Sequence, residues 1–312
     1  MSDKGYRTIH DHHHHIGWDN SLEAVLRVDS GAELSIGTVD SSGGQIKADS
    51  DAVAIAEMDF GLVNPVTGPV WVEGAEPGDV LEVEYLGFSK AVNWGWTGII
   101  PGFGLLADEF TDPFLHISKY DTELVHFTDE IKLPFRAFTG TVGNSLAEPG
   151  NHSVVPPRRV GGNLDIRDLN VGSRLYLPIE VQGALFSLGD THAAQGDGEV
   201  CGTAIETAMD VQVKLTLHKG MNLPAPQFEI PSVPVDAPAD RGYYATTGVG
   251  PDTFAAAQDA IRAMIDHLGR EYGLEPNLAY ALCSVAVNLK ISEIVDMPNV
   301  VVSAYLPKGI FR

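Results

Sequence analysis

Hydrophobic and polar residues alternate along much of the chain between residues 33 and 217. Leu81, Val83 and Tyr85 are separated by glutamates, and the stretch 211–217 alternates apolar with polar residues even more regularly. A period of two places successive side chains on opposite faces of a strand. Short runs of this kind, separated by turn residues, predict antiparallel sheets with one buried face. We therefore expect a mainly β fold, either a sandwich or a barrel.

The pattern changes beyond residue 250, where apolar residues recur at helical spacing. One stripe covers 254–268 and follows Asp252, a residue type that caps helix N-termini. A second stripe begins after Pro276, and we expect that helix to end near Lys290. The apolar run 300–306 is typical of a strand. The sequence therefore predicts a smaller α+β lobe at the C-terminal end.

Between these two patterns lies a segment rich in proline. Its prolines remove backbone donors and block helix formation, so it is our candidate linker. The predicted organisation is a β-rich portion over residues 1–221 that carries most of the site, a linker over 222–241 and the α+β lobe over 242–312.

Composition narrows the classes of partner. The formal net charge is −22, from 42 acidic and 20 basic residues, and such a field repels nucleic acid and anionic lipid surfaces. There are only two cysteines, which argues against a disulfide framework and favours a reducing compartment. No run approaches the ~18 apolar residues of a membrane span, and no secretion signal is recognisable. We expect a cytoplasmic protein that binds neither nucleic acid nor membrane.

The densest cluster of candidate chemistry is the loop 183–200, where an apolar strand runs into glycine-rich polar sequence. Asp190 and His192 are two residues apart, so in extended backbone both side chains face the same way and can bind one divalent ion. Glu199 is close enough in sequence to reach the same cavity. Because Asp-x-His is a common pattern, the spacing alone does not decide between a metal site and a structural role.

Four other features admit both a functional and a structural interpretation. The five histidines within residues 10–15 either contribute one ligand or form an arm that captures metal adventitiously. Asp40 precedes a double glycine that lets backbone approach a ligand or simply turns a hairpin. The segment 161–165 likewise either lines a site or turns the chain. Cys201 is a nucleophile if its thiolate is stabilised, and otherwise a small buried hydrophobe.

Taken together, these segments resemble the acetamidase/formamidase family from His15 almost to the C-terminus. The most specific match is 189–199, which reads Gly-Asp-Thr-His-Ala-Ala-Gln-Gly-Asp-Gly-Glu. The other matching segments, in order, are 15–18, 40–46, 64–70, 74–79, 161–165 and 282–285.

The resemblance implies a mainly β fold, a jelly-roll-like β-sandwich joined to smaller β-rich and α+β portions. It implies, in addition, a homo-oligomer (a dimer or larger) and a bound divalent metal, with zinc the first choice. It also implies hydrolysis of short aliphatic amides such as formamide and acetamide to carboxylate and ammonia. The residues we assign to the site are Asp190, His192 and His15 as metal ligands, Glu199 and Asp40 as catalytic residues, and Gly44, Gln45 and Gln195 as substrate contacts.

In the expected mechanism, zinc lowers the pKa of its water to about 7, and the resulting hydroxide attacks the amide carbonyl. Glu199 then passes a proton to the leaving nitrogen, while Asp40 orients a ligand histidine. Four alternatives stay open: a cyclic-amide (γ-lactam) hydrolase, an amidase that uses Cys201 as nucleophile with Glu199 as base, a β-sandwich that binds a metal or small ligand without catalysis, and a family member that acts on something other than a plain amide.

Overall fold

Strands dominate the structure, a computed structural model that describes residues 6–231, 241–295 and 298–311. Strands take up 38% of the chain and helices 15%, so the predicted mainly β class is confirmed. The strands are β1 (Arg7–Ile9), β2 (His14–His15), β3 (Leu26–Val28), β4 (Ala32–Gly37), β5 (Val66–Val72), β6 (Val80–Lys90), β7 (Trp94–Ile99), β8 (Phe114–Tyr120), β9 (Leu124–His126), β10 (Lys132–Pro134), β11 (Phe138–Gly143), β12 (Gly161–Asn163), β13 (Arg174–Pro178), β14 (Phe186–His192), β15 (Glu206–Thr207), β16 (Met209–His218), β17 (Gln227–Glu229), β18 (Tyr243–Gly250), β19 (Asn288–Glu293) and β20 (Val300–Pro307).

Two large sheets pack face to face. The smaller has the order β1-β4-β16-β6-β13-β17, and the larger has the order β10-β9-β8-β7-β15-β14-β11-β12, with β5 also pairing with β14, β2 and β3. One apolar cluster takes side chains from both sheets, among them Val83 and Val213 from the smaller and Val70 and Phe186 from the larger. Each such fully buried side chain contributes about 1.5–3 kcal/mol. The alternation seen in the sequence therefore serves a sandwich core.

The helices are α1 (Ala52–Ala56), α2 (Thr253–Tyr272) and α3 (Pro276–Ala286), with short 3-10 turns at Phe60–Leu62 and Lys308–Ile310. Two of the sequence signals for α2 are confirmed: the Asp252 side chain accepts a hydrogen bond from the Ala255 backbone, and Gly273 ends the helix in the left-handed region. The predicted end of the next helix near Lys290 is wrong. The chain turns extended at Val287, because the following residues pair with β20 instead of continuing the apolar stripe.

The C-terminal lobe combines β18, β20 and β19 in a three-stranded sheet with α2 and α3. Its helices share one apolar cluster with Ile99, Val125 and Val200 from the β-rich portion. Of the predicted linker, residues 232–240 lie outside the described residues, and Gln227–Glu229 forms β17 at a sheet edge. The three-part division of the chain stays a prediction. No helix in the described part of the chain is long and apolar enough to cross a membrane.

Candidate active site

Strand β14 brings the central histidine of the site to the middle of the larger sheet. It pairs with β11 on one side and with β5 and β15 on the other, and in the last pairing His192 stands directly opposite Glu206. Directly opposite residues of an antiparallel pair have neighbouring side chains. The imidazole Nε2 of His192 consequently lies 3.1 Å from Oε2 of Glu206 and 3.1 Å from Oδ1 of Asp190.

Five side chains converge in what we call the His192 cluster: Asp165, Asp190, His192, Glu199 and Glu206. They form two overlapping groups, Asp190-His192-Glu206 and Asp165-His192-Glu199, and within each group the ligand atoms lie within 4.8 Å of one another. Three of the five have positive φ angles, 50° at Asp165, 55° at Asp190 and 42° at Glu199. Such a backbone is costly for a residue other than glycine and concentrates at functional sites.

Gln195 fixes the tautomer of His192. The amide nitrogen of Gln195 donates to the backbone oxygen of Asp165 at 2.9 Å, so its amide oxygen is left to accept from Nδ1 of His192, also at 2.9 Å. The neutral ring therefore carries its hydrogen on Nδ1, and Nε2 presents a lone pair. Because that lone pair faces two carboxylates, the arrangement is stable only with a proton or a metal ion at Nε2.

Without a metal ion, the proton is the available cation. Burial alone would lower the pKa of His192, but the negative charges of Glu206 and Asp190 raise it well above its ordinary value. Burial likewise acts to raise the pKa of Asp190, yet the charged ring of His192 outweighs it and lowers that pKa below the usual range. The imidazolium thus occupies the electrostatic position that a cation would take.

The remaining carboxyl groups hold protons more tightly than usual. Burial, followed by the charge of Asp190, raises the pKa of Asp165 to about 7. Burial and then the charge of Asp165 raise the pKa of Glu199 well above its ordinary value, and burial raises that of Glu206 despite the attraction of His192. A shifted set of titratable groups beside a cavity is typical of catalytic sites.

The residues present fit a divalent metal. Oε2 of Glu206 and Oδ1 of Asp165 are buried without a hydrogen-bond donor among the described residues, since the approach of His192 to Glu206 lacks hydrogen-bond geometry. Buried carboxylate oxygens of this kind are normally satisfied, and a cation satisfies them. Nitrogen and carboxylate donors together suit zinc, although they do not exclude other divalent ions.

Gly140 on β11 keeps the centre of the cluster open. A Cβ atom at this position would lie 2.5 Å from Oδ1 of Asp165, 2.7 Å from Oδ2 of Asp190 and 2.8 Å from Cε1 of His192. The backbone of Gly140 does not have positive φ, so the need for glycine is steric alone. The missing side chain leaves space at the point where the ligands converge.

A cavity of about 500 Å³ reaches the cluster from outside. Asp165, Asp190, Glu199 and Glu206 lie along its wall, whereas His192 is only 1% exposed. Asn64 also lines the cavity and donates to Oδ2 of Asp190 at 3.3 Å. A small molecule in this cavity can therefore contact the carboxylates, whereas the buried His192 contacts Asp190 and Glu206 from the protein side.

The structure brings together three of the residues that the sequence assigned to the site, namely Asp190, His192 and Glu199. His15 lies elsewhere: its Nε2 is 2.9 Å from Oγ of Ser187, and its Nδ1 is 2.8 Å from the backbone oxygen of Gly17. Burial lowers the pKa of His15. It belongs to neither ligand group of the described residues.

Asp40 and its neighbours organise a loop beside the cavity. Oδ1 of Asp40 accepts from the indole nitrogen of Trp96 at 3.0 Å, and Oδ2 accepts from the backbone of Gly44 at 3.1 Å. Gln45 bonds the backbone of Asp59 in both directions, 2.8 Å to its nitrogen and 3.1 Å to its oxygen. Ser41 and Trp96 line the cavity, whereas Asp40, Gly44, Gln45 and Gln195 do not.

Sequence reasoning missed Glu206 and left Asp165 unassigned. Glu206 carries no local motif, and only the pairing of β15 with β14 places it opposite His192. Asp165 ended a segment that we had interpreted as either a site or a turn. Asp165 has both roles: its positive φ turns the chain, and this turn directs its carboxylate into the cluster.

Cys201 is fully buried and does not line the cavity. Its Sγ lies 3.5 Å from the backbone oxygen of Gly98, and burial raises the pKa of its thiol. A thiol that resists ionisation is a poor nucleophile. These contacts argue against the alternative in which Cys201 attacks the amide.

The loop that carries Glu199 is fastened to α3. The backbone of Gly196 donates to the Ser284 oxygen at 2.8 Å, the backbone of Cys201 donates to Oγ of Ser284 at 3.2 Å, and the Tyr280 hydroxyl donates to the oxygen of Val200. A side chain at Gly196 would lie 2.1 Å from the oxygen of Val287. The C-terminal lobe therefore fixes the position of a carboxylate in the cluster.

Known proteins resemble this chain along nearly its whole length. A model of the acetamidase/formamidase family matches residues 3–145 and 129–312. A formamidase of Methylophilus methylotrophus is 29% identical over 96% of this chain and 89% of its own. Among solved structures, a gamma lactamase from Delftia acidovorans has a TM-score of 0.88 at 28% identity, covering 96% of this chain and 89% of its own. An acetamidase from Bacillus halodurans has a TM-score of 0.68 at 31% identity, covering 96% of both chains.

Proposed function

Because the chain belongs to the acetamidase/formamidase family, and so hydrolyses amides at non-peptide C–N bonds, we propose that this reaction takes place at the His192 cluster with a divalent metal. The observation that carries the proposal is the position of Nε2 of His192, which lies 3.1 Å from an oxygen of each of two buried carboxyl groups, Asp190 and Glu206, at the wall of a cavity. Small aliphatic amides are converted to a carboxylate and ammonia. The preferred metal in this proposal is zinc.

The residues that would hold the metal are His192, Asp190 and Glu206, with Asp165 and Glu199 on the side of the cavity. When bound, a divalent ion supplies polarisation of the amide carbonyl and a lowered pKa of water. Gln195 holds a hydrogen of His192 on Nδ1, so that Nε2 is the nitrogen that would bind the metal, and Asn64 and Thr141 hold Oδ2 of Asp190 by hydrogen bonds of 3.3 and 3.1 Å. Such supporting contacts normally tune metal affinity.

Glu199 handles the proton in this proposal. Burial and the charge of Asp165 raise the pKa of Glu199 well above its ordinary value, so this carboxyl holds its proton more tightly than an exposed glutamate. Glu199 also lines the cavity where the leaving nitrogen would lie. Asp165 is in the same ligand group and can share the proton. Collapse of the tetrahedral adduct breaks the C–N bond, and Glu199 delivers the proton that turns the departing nitrogen into ammonia.

Lactam hydrolysis is the second candidate function. The observation that favours it is the TM-score of 0.88 with the Delftia acidovorans gamma lactamase, against 0.68 for the Bacillus halodurans acetamidase. The chemistry at the carbonyl is the same, but the nitrogen stays attached to the product. The two candidates are therefore separated by their products.

The test measures ammonia release from formamide, acetamide and propionamide, and ring opening of a γ-lactam by chromatography. Protein as isolated, chelated protein and protein with zinc restored are compared, with metal content from elemental analysis. We expect turnover to disappear with the metal and return with it. Turnover that survives complete metal removal would contradict metal-dependent chemistry, and ring opening without ammonia release would favour the lactamase.

The remaining proposals concern the setting of the enzyme. We propose a homo-oligomer, a dimer or larger, that acts in the cytoplasm. Both cysteines are free and buried, as in proteins of reducing compartments. Light scattering on the purified protein tests the first proposal, and fractionation of cells tests the second.

A further inference from the structure

The cavity above the His192 cluster is much larger than a formyl or acetyl amide needs. Formamide has three heavy atoms, on the order of three waters or roughly 90 Å³ of liquid volume. The cavity holds about 500 Å³. Volumes of that size are typical of sites for larger organic ligands, which bury most of their surface. Formamide or acetamide bound at the cluster would therefore leave most of the cavity volume unfilled.

The space next to the cluster has an apolar wall. Met58, Val63, Trp96, Ile100 and Leu105 contribute to it. Trp96 is held in place by the hydrogen bond from its indole nitrogen to Asp40. A rigid aromatic and aliphatic wall of this kind stabilises hydrocarbon by removing it from water.

The cavity mouth is also apolar although it faces solvent. Phe60, Phe103, Val155 and Phe254 line it and are 56%, 43%, 39% and 60% exposed. They come from four separate segments, and large apolar side chains gathered at one opening mark an interaction site more often than a random surface. The apolar lining thus continues from the cluster to the mouth.

No lysine, arginine or histidine lines the cavity among the described residues, whereas four carboxylates do. A carboxylate on the part of the substrate that lies along the apolar wall, away from the cluster, would have no basic side chain to pair with in the described lining. The lining therefore selects for an uncharged hydrocarbon group as well as for size.

We propose that the preferred substrate is an uncharged amide whose acyl group is a hydrocarbon of five or more carbons or an aryl ring, with the amide at the His192 cluster and the hydrocarbon against the apolar wall. The inference rests on the proposed function, because it takes the cluster as the point of hydrolysis. Formamide and acetamide are then minimal substrates that leave most of the cavity to water.

The test is a series of kcat/KM values for formamide, acetamide, butyramide, hexanamide and phenylacetamide, which all release ammonia and share one assay. Burial of a methylene is worth about 0.8 kcal/mol, or about fourfold. Hexanamide has four more methylenes than acetamide, so we expect kcat/KM to rise by roughly 200-fold between them. Succinamate, the carboxylate-bearing control, should stay at or below acetamide.

A matched pair of variants tests the position of the hydrocarbon. Phe103 and Phe228 are both 43% exposed, but only Phe103 lines the cavity. Phe103→Ala should lower kcat/KM for phenylacetamide about tenfold more than it lowers kcat/KM for acetamide, because the aryl ring loses an apolar contact. Phe228→Ala should change neither.

The outcomes separate the two proposals. A series that is flat or falls above acetamide, with acetamide turnover intact, overturns the larger substrate and leaves amide hydrolysis standing. Absence of turnover on every amide by the metal-replete protein overturns the proposed function and this inference with it. If Phe103→Ala instead changes the oligomeric mass in light scattering and leaves the series unaltered, the mouth is a contact between copies and the inference fails.

Discussion

The N-terminal histidine run and the His192 cluster make opposite use of the same side chain. Residues 10–15 contain five histidines, of which those at 10, 12, 13 and 14 are exposed. The cluster has a single histidine, 1% exposed, with four carboxylates around it. In the described residues no ligand group includes the N-terminal histidines.

In our proposal, convergence on one point, more than the number of imidazoles, makes a metal site. Rings of the run contact each other, with the centroids of the tilted His12 and His13 rings 4.2 Å apart, whereas Nε2 of His192 lies 3.1 Å from carboxylate oxygens. A bound ion needs several ligands that meet with their lone pairs directed inward. Five experiments test this contrast, from the largest expected effect to the smallest.

Removal of the central imidazole should have the largest effect. We expect His192→Ala to lose bound metal and at least about 10³-fold of kcat/KM, since the metal supplies the main electrostatic stabilisation. A variant with alanine at His10, His12, His13 and His14 together should keep its metal content and its kcat/KM within twofold of the wild type. Elemental analysis measures the bound metal of both variants, and ammonia release measures their kcat/KM. If the variant with four alanines lost activity and His192→Ala stayed active, the N-terminal histidines would be the functional ones and the comparison would be reversed.

Glu199→Gln should separate metal binding from proton transfer. The amide keeps the size of the side chain but cannot pass a proton, so we expect kcat to fall about 10²–10³-fold, the usual contribution of a general acid or base. Metal content should change little, because Asp190, His192 and Glu206 remain. Unchanged kcat would remove Glu199 from the mechanism.

Gly140→Ala tests the open centre without altering any ligand. Its methyl group would lie 2.5–2.8 Å from atoms of Asp165, Asp190 and His192, so we expect about 10²-fold weaker zinc binding, comparable to disturbing several ligands at once. Gly250→Ala is the control, because its side chain would meet nothing within 4 Å. Zinc affinity is measured by competition with a chromophoric chelator. Equal affinities in the two variants would show that ions do not bind at that point.

Gln195→Leu tests the tautomer. Without the amide oxygen, Nδ1 of His192 loses its acceptor, and we expect zinc affinity to fall about 10- to 100-fold, as for other partners of ligand histidines. The affinity should recover in part in Gln195→Glu, which keeps an acceptor for Nδ1. If Gln195→Leu binds zinc as tightly as the wild type, the hydrogen bond from Nδ1 to Gln195 does not fix the His192 ring for metal binding.

The smallest effect concerns stability of the metal-free protein. The pKa of Asp165 is raised to about 7 from its ordinary 3.8, so its contribution is fully present below about pH 4 and is lost as pH rises through about 7. Asp165→Asn cannot lose a proton. Its Tm should match the wild type near pH 4 and exceed it by about 2 °C at pH 8.

Calorimetry on chelated protein across that range measures the Asp165 effect. A difference between variant and wild type that does not change with pH would contradict the raised pKa. Zinc should reverse the sign of the Tm difference at pH 8, because only the wild type then offers the Asp165 carboxylate to the ion in addition to the other carboxylates.

The sequence predicted the features that depend on local pattern. Alternation located β6 and β16, the Asp252 cap located α2, and the run 189–199 supplied Asp190, His192 and Glu199. Glu206 was beyond such reasoning, since its place opposite His192 depends on strand pairing.

Asp40 and Gln45 are the opposite case, residues that the sequence assigned to the site but that do not line the cavity in the structure. Their polar side chains beside a double glycine have the composition of a binding loop, yet in the structure they bond neighbouring backbone and Trp96. A carboxylate that shapes a turn and one that meets a ligand look alike in sequence, because both choices use the same short polar residues. Only the direction of the side chain separates them.

The attachment of the Glu199 loop to α3 has a consequence for synthesis on the ribosome. Asp190, His192 and Glu206 emerge and can pair as strands before Tyr280 and Ser284 have been translated, a delay of several seconds at about 5–20 residues per second. Until then the loop lacks its hydrogen bonds to α3. A nascent chain arrested before residue 276 would carry the metal ligands but should be catalytically silent, so the enzyme becomes active only when its last segment has docked.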